Sequence, residues 1–205
     1  MFKRMSALVR RDADTRAQFA VGWRNHAEFI SDLPGVRGYL QNHVLDVYPG
    51  EDDAPLKADG FVELRFDSPR AMAEAFTSPA AKAMAADEPN FLGHGSGYAL
   101  TTDDALRPAP DGQKLIVAVV DGPERDVVDL GDFITGAEPL HVDRNDVSNL
   151  IAKPNMAPPQ PVQTFFHVHF QSADAAHAAA GLVAAEAARL GLSYRVFRVR
   201  TVTIV

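Results

Sequence analysis

Three sets of polar side chains stand where the surrounding pattern is apolar, and each has a chemistry open to it. His26 follows Phe19 and Trp23 at spacings of seven and three and precedes Ile30 by four. That is one helical face, so an imidazole sits on an apolar stripe. Such a group titrates near neutrality and can act as general base or acid. It can equally be a core-edge histidine bonded to a carbonyl. Asn42 interrupts the apolar face of a strand, where a neutral amide could hold a developing oxyanion or brace a loop. His167 and His169 alternate in "FFHVHF", about 6–7 Å apart along one strand face. They could share a metal if Glu63 or His43 joined them, or they could pair with charges across a packed layer.

These groups depend on the elements that carry them. Residues 1–10 read as a strand. The stretch "DADTRAQFAVGWRNHAEFISDLPG" reads as a helix, opened by the Thr15/Gln18 capping-box spacing and stopped at Leu33-Pro34-Gly35. Residues 36–48 and 61–66 read as strands, separated by a polar loop. Ser68-Pro69 opens a second helix, and Ser78-Pro79 repeats that signal, so the helix breaks and restarts. "GSGYALTT" supplies a fourth strand. The order is βαββαβ, a ferredoxin-like unit. Residues 101–112 read as a linker. Beyond them come the strand "QKLIVAVVD", the strand "FFHVHF", an alanine-rich helix capped by Ser172 and ending at Gly191, and the strand "YRVFRVRTVTIV".

"FVELRFDSPRAMAEAF" aligns with "FFHVHFQSADAAHAAA" at a constant offset of 104 positions, Phe61 with Phe165 and Ser68 with Ser172. The expected fold is therefore α+β: two tandem ferredoxin-like repeats, residues 1–102 and a degenerate 113–205, paired as an intramolecular dimeric α+β barrel. Residues 122–161 are rich in Pro, Gly and Asp, so the first helix of the second repeat is expected to be shortened or lost. One unit covers one sheet face with helices and leaves the other bare. Tandem units close those bare faces on each other.

Strand parity sorts the side chains. Val62, Leu64 and Phe66 are expected to face helices, with Phe61, Glu63 and Arg65 facing the other sheet. By the repeat, Phe166, Val168 and Phe170 face helices, and His167 and His169 take the places of Glu63 and Arg65. Counting from Val36 puts Leu40, Asn42 and Val44 on the helix side and Arg37, Tyr39, Gln41 and His43 between sheets. One constellation is then Trp23, His26 and Asn42 in the helix–sheet layer. The other is Tyr39, Gln41, His43, Glu63, Arg65, His167 and His169 between sheets. The match of the histidine strand to the Glu63/Arg65 strand favours inter-sheet pairing over a metal, and no metal is assigned. His94 lies in "GHGSG" without the strand-to-helix turn of a phosphate loop, and His141 has no clear placement.

Together, Phe19-x3-Trp23-x2-His26, "LPGVRGYLQN" (33–42), "DGFVELRFDSPRAMAEAF" (59–76) and "SPAAKAMAADEPNFL" (78–92) resemble the EthD family of dimeric α+β barrel proteins. The resemblance covers about the first 100 residues. It implies a small-molecule cavity between helices and sheet. It places Trp23, His26, Tyr39, Gln41, Asn42 and Glu63 at family-pattern positions. Similar proteins are linked to ether degradation or act as dehydratases or cyclases on aromatic polyketides. The wider superfamily includes isomerases, cofactor-free oxygenases and haem enzymes. No second WxxH helix is present, so one site is expected.

Composition bounds the rest. The net charge of −7 and pI near 5.4 argue against a nucleic-acid or anionic-membrane surface. The absence of cysteine removes disulfide, thiolate and Cys-zinc chemistry. Apolar runs are far shorter than the roughly 20 residues of a membrane span, and no signal-peptide h-region is evident. The expectation is a cytoplasmic, cofactor-independent enzyme on an apolar or aromatic carbonyl compound, a lyase, isomerase or cyclase working by proton transfer. His26 and Asn42 would be catalytic, and Trp23, Tyr39, Gln41 and Glu63 would line the substrate site. The rival readings are a cofactor-free or haem-dependent oxygenase, a non-catalytic binding protein, and a metalloprotein through His167 and His169. The chain is expected to be its own pseudo-dimer, with further homodimerisation left open.

Overall fold

The computed structural model describes residues 2–50, 55–102, 105–153 and 156–205. Parts of the expected loop (51–54) and linker (103–104) lie outside the described residues. The element order is β1 (Phe2–Arg10), α1 (Arg16–Asn25), α2 (Ala27–Ser31), β2 (Val36–Tyr48), β3 (Gly60–Phe66), α3 (Pro69–Phe76), α4 (Pro79–Asp87) and β4 (Leu92–Leu100). It continues with β5 (Lys114–Asp121), α5 (Glu124–Gly136), β6 (His141–Ala152), β7 (Thr164–His169), α6 (Ala173–Arg189) and β8 (Ser193–Thr203).

The strands form one closed antiparallel barrel in the order β1-β3-β2-β8-β5-β7-β6-β4. Four neighbouring strands come from each half of the chain. The halves join edge to edge, at β2–β8 (Leu40 opposite Thr203) and β4–β6 (Ser96 opposite Ala152). Closure leaves no sheet edge unpaired. The expected inter-sheet space is thus the barrel interior, and the helices pack outside.

Local signals start the helices. Thr15 and Gln18 form a reciprocal capping box on α1. Ser68, Ser78 and Ser172 cap α3, α4 and α6 with their hydroxyls, accepting from the backbone N–H three residues on. The expected break at Ser78-Pro79 is present. The first helix also breaks, at His26, which ends α1 and opens α2.

The expectation for residues 122–161 is corrected. A full helix, α5, lies there, followed by the strand β6. Val127, Leu130 and Ile134 are buried along one face of α5, and this stripe outweighs the Gly and Asp between them.

Three apolar cores result. Outside the first half, Trp23, Phe19, Phe66, Leu64 and Met84 pack between helices and sheet. Outside the second half, Phe166, Val168, Leu130 and Val183 do the same. Inside the barrel, Phe61, Phe165, Phe197, Tyr98 and Ile116 fill one part of the lumen, with the Phe61 and Phe197 rings edge-on at 4.9 Å.

Candidate active site

The parity read for β3 and β7 holds: Leu64 and Phe166 face helices, and Phe61 and Phe165 face the lumen. The parity expected for β2 is reversed, and a bulge is the reason. Val36 lies opposite Phe66 but Gly38 lies opposite Arg65, so Arg37 is an extra residue. One inserted residue moves every later side chain to the other face. Tyr39 and Gln41 therefore lie opposite Leu64 and Val62 on the helix side, while Leu40 and Asn42 lie opposite Glu63 and Phe61 on the lumen side.

The structure thus separates the expected catalytic pair. His26 is in the outer layer and Asn42 is in the lumen, on opposite faces of the sheet. Trp23, Tyr39, Gln41 and His43 join His26's layer, and Glu63 joins Asn42.

In the outer layer, Trp23 is fully buried. It lies flat over the backbone of Gly60, where an added Cβ would come 2.3 Å from the indole. The side-chain amide of Gln41 donates to the Trp23 carbonyl at 2.9 Å and reaches the Tyr39 hydroxyl at 2.7 Å. His43 packs against Trp23 with ring centroids 4.5 Å apart and planes tilted by 48°, and bonds Gln41 at 3.2 Å. Burial pushes the His43 imidazole down to about 4 and raises the Tyr39 phenol. These groups are already mutually satisfied, which fits a supporting wall.

His26 is different. Its Nδ1 lies 2.8 Å from Asp87 Oδ2 at the end of α4. A carboxylate accepts, so Nδ1 carries the proton and Nε2 keeps the lone pair. Burial lowers the His26 pKa, although the Asp87 hydrogen bond and the Glu88 charge oppose that. The imidazole is neutral at neutral pH, with one nitrogen free to accept.

His26, Trp23 and Tyr39 border an inner cavity of about 30 Å³, which Arg4, Ser6, Phe76, Met84, Glu88 and Lys153 help enclose. That is room for about one water. Arg4, Phe76, Met84, Glu88 and Lys153 also border an outer pocket of about 280 Å³, otherwise walled by Met72, Ala81, Ala85, Ile151 and Ala152. An apolar cavity of roughly 150 Å³ is enough for benzene. These five shared residues form the boundary between the two spaces, a throat region whose charged members are Arg4, Glu88 and Lys153.

The throat residues Arg4, Glu88 and Lys153, together with Asp87, escaped sequence reasoning. Arg4 sits on the helix side of β1, in a strand whose mixed basic and apolar residues give no clear inward face. Lys153 comes from the second half, across the β4–β6 seam. The only signal was indirect, in the glycines of "GHGSG". A Cβ on Gly95 would come 2.5 Å from Lys153 Cδ, and one on Gly97 would come 2.8 Å from the Ile151 carbonyl and 3.3 Å from an Arg4 nitrogen. The glycines make room for those side chains.

The lumen holds the second constellation. Glu63 forms ion pairs with Lys114 and, at 3.3 Å, with Lys3, and His167 Nδ1 lies 3.4 Å away. Asn42 donates to Glu63 at 2.9 Å. The Asn42 carbonyl accepts from Thr201 at 2.7 Å and Lys114 at 3.4 Å, and the Asn145 carbonyl accepts from Thr102 at 2.8 Å and Lys3 at 3.0 Å. The two asparagines occupy matching places, with a lysine and a threonine each. Glu63 is held well below the usual carboxylate range; burial opposes this, but the Lys114 and Lys3 charges and the His167 hydrogen bond outweigh it. His167 is pushed down to about 4 by burial and by the two lysines, against the pull of Glu63. His169 falls to about 3 for the same burial and lysine reasons. Both histidines are neutral at neutral pH. Among the described residues no three His, Asp or Glu side chains converge to hold a metal.

The family model of the EthD domain matches residues 11–95. A search of curated proteins finds no match. Solved structures share the fold. A putative monooxygenase from Lactobacillus acidophilus has 10% identity and a TM-score of 0.52, covering 100% of this chain and 94% of that one. An anthrone oxidase-like protein has 8% identity and a TM-score of 0.61, covering 99% and 93%. A putative monooxygenase from Fusobacterium nucleatum has 13% identity and a TM-score of 0.55, covering 98% and 91%. No described helix is long and apolar enough to cross a membrane. The WxxH helix, the "LPGVRGYLQN" strand and the α4 segment all fall inside the matched region, so residues 11–95 of the chain match the EthD domain.

Proposed function

We propose that this protein is a cofactor-independent enzyme that moves a proton on a small apolar or aromatic carbonyl compound. The carrying observation is the 2.8 Å His26–Asp87 pair at the wall of a small cavity that shares five lining residues with a larger apolar pocket. Asp87 orients the imidazole, and Nε2 takes the proton from a carbon next to the carbonyl or conjugated with it through an aromatic ring, as C10 of anthrone is. The C–H electron pair moves into the enolate, and its charge rests on the carbonyl oxygen. Return of the proton to another carbon, loss of a leaving group or ring closure would give isomerase, lyase or cyclase outcomes. Trp23 and Tyr39 form the inner wall, with Gln41 holding both. Asn42 and Glu63 serve the lumen that joins the halves, so their role here is structural.

In the same reading the chain is two ferredoxin-like units, 1–102 and 113–205, closed as an internal pseudo-dimer. The like element order of the halves and the paired Asn42 and Asn145 networks support it. The second unit supplies Lys153 to the site and has no WxxH helix, which is consistent with a single site.

A second reading comes from the fold neighbours described as monooxygenases and anthrone oxidase-like. An enolate formed by His26 could react with oxygen. For anthrone the balance is anthrone plus O2 giving anthraquinone plus water. One substrate separates the readings. Anthrone is incubated with the protein in D2O under argon, and deuterium entry at C10 is followed by NMR; oxygen uptake is followed in air. Exchange without protein-dependent oxygen uptake supports proton transfer. Oxygen uptake above the buffer rate supports the oxygenase. Neither effect, with anthrone and a panel of aromatic ketones, overturns the enzymatic reading.

A further inference from the structure

The throat between the two cavities carries an unbalanced set of charges. Arg4 is 5% exposed and Glu88 is 6% exposed, and the Lys153 side chain is 10% exposed. Lys153 is ion-paired with Glu88. Among the described residues Arg4 forms no ion pair of its own, and the Glu88 charge that acts on it is shared with Lys153. The Arg4 guanidinium lies over the Phe76 ring at 4.1 Å, and its buried Nε has no hydrogen-bond partner. Two cations and one anion thus share a nearly dry space. Asp87, the next acid, points to His26 and Asn90.

An unpaired buried charge is strongly destabilising, and a ring face offsets only part of that. A buried donor without an acceptor adds a further penalty. Glu88, already paired with Lys153, answers the Arg4 charge only in part and leaves Nε without an acceptor, and Arg4 borders the inner cavity and the outer pocket alike. The outer pocket is otherwise apolar, built from Met72, Ala81, Met84, Ala85 and Ile151. What fits is an apolar ring body outside and one negatively charged oxygen at the throat.

We infer that the site takes aromatic compounds bearing an anionic oxygen, a carboxylate or an ionised phenol, with Arg4 receiving that oxygen and Lys153 flanking it. This rests on the small-molecule reading of the His26 layer and names its ligand class. It also moves the oxyanion-holding role from Asn42, which faces the lumen, to Arg4. The planar guanidinium lies over Phe76, so its plane is constrained before the ligand arrives.

The test is calorimetric titration of the full chain with 1-naphthoate and with 1-naphthamide, its neutral isostere. The native protein is expected to bind naphthoate about tenfold or more tightly than naphthamide, as a charge-assisted bond in a dry site requires. Arg4→Gln should abolish that preference, lowering naphthoate affinity far more than naphthamide affinity. Equal affinity of the native protein for both compounds overturns the inference and leaves the small-molecule reading standing. Binding of neither overturns the inference, and the anthrone exchange assay then decides the wider reading by itself. If Arg4→Gln does not fold, the native comparison still decides, with Lys153→Gln, expected to lower naphthoate affinity about threefold or more, as the second variant.

Discussion

His26 Nδ1 and Asp87 Oδ2 lie 2.8 Å apart, joining the α1–α2 break to the end of α4. Sixty-one residues separate the two in sequence. Asp87 holds the imidazole in one tautomer and partly offsets the burial that lowers its pKa. Asp87→Asn should reduce turnover about tenfold to hundredfold through loss of orientation. The pH profile gives a sharper readout. A general base works unprotonated, so activity rises with pH through the His26 pKa and is flat above it. That pKa already lies below 6.5, so the native plateau should include pH 7. In Asp87→Asn the rising limb should move to still lower pH. A limb moving upward would contradict the assignment.

Acid stability follows from the buried histidines. His43, His167 and His169 have folded-state pKa values of about 4, 4 and 3, against 6.5 unfolded. Between pH 6.5 and 4 the unfolded chain therefore binds more protons than the folded one, so stability falls as pH falls. The slope should approach that of about three protons, or roughly 4 kcal/mol per pH unit near pH 5. Glu63, held low, adds its loss at more acidic pH. Urea unfolding from pH 7.5 to 5 measures this. A flat profile would mean that these imidazoles are solvated.

Glu63 is the carboxylate ion-paired with both Lys3 and Lys114, and Asp143 adds a more distant charge at Lys114. Glu63→Ala would leave both ammonium groups in the lumen without it. The expected loss is about 3–5 kcal/mol of unfolding free energy, measured by denaturant titration at pH 7. A loss well under that range would show the lysines finding water.

Gly60 is the floor under Trp23. Gly60→Ala places a methyl group 2.3 Å from the indole, and a buried indole has no slack to give. The expected destabilisation is about 1–3 kcal/mol. Because Trp23 is the one tryptophan in the chain, a shift in its emission should accompany the change.

Much of this was legible in sequence, for identifiable reasons. Serine caps, prolines at helix starts and the 104-residue offset are local or periodic signals, and they placed β3, β7, α3, α4 and α6. The facing of Glu63 and His167 into one layer also followed from parity. Asn42, Tyr39 and Gln41 were assigned to the wrong faces because the Arg37 bulge is a two-strand property, invisible in one strand's alternation. Helix α5 was hidden because its apolar stripe is sparse among Gly and Asp. Asp87, Arg4 and Lys153 could not be tied to His26 because barrel closure brings them together across the whole chain.

The central claim is that His26 moves the proton. The direct measurement is the rate of deuterium entry at C10 of anthrone in D2O under argon, for the native protein and for His26→Gln with matched folding. The native rate should exceed the buffer rate, and the variant should lose about 10²–10⁴-fold of the acceleration, the usual share of a positioned base. A folded His26→Gln protein that exchanges as fast as the native one would contradict the account.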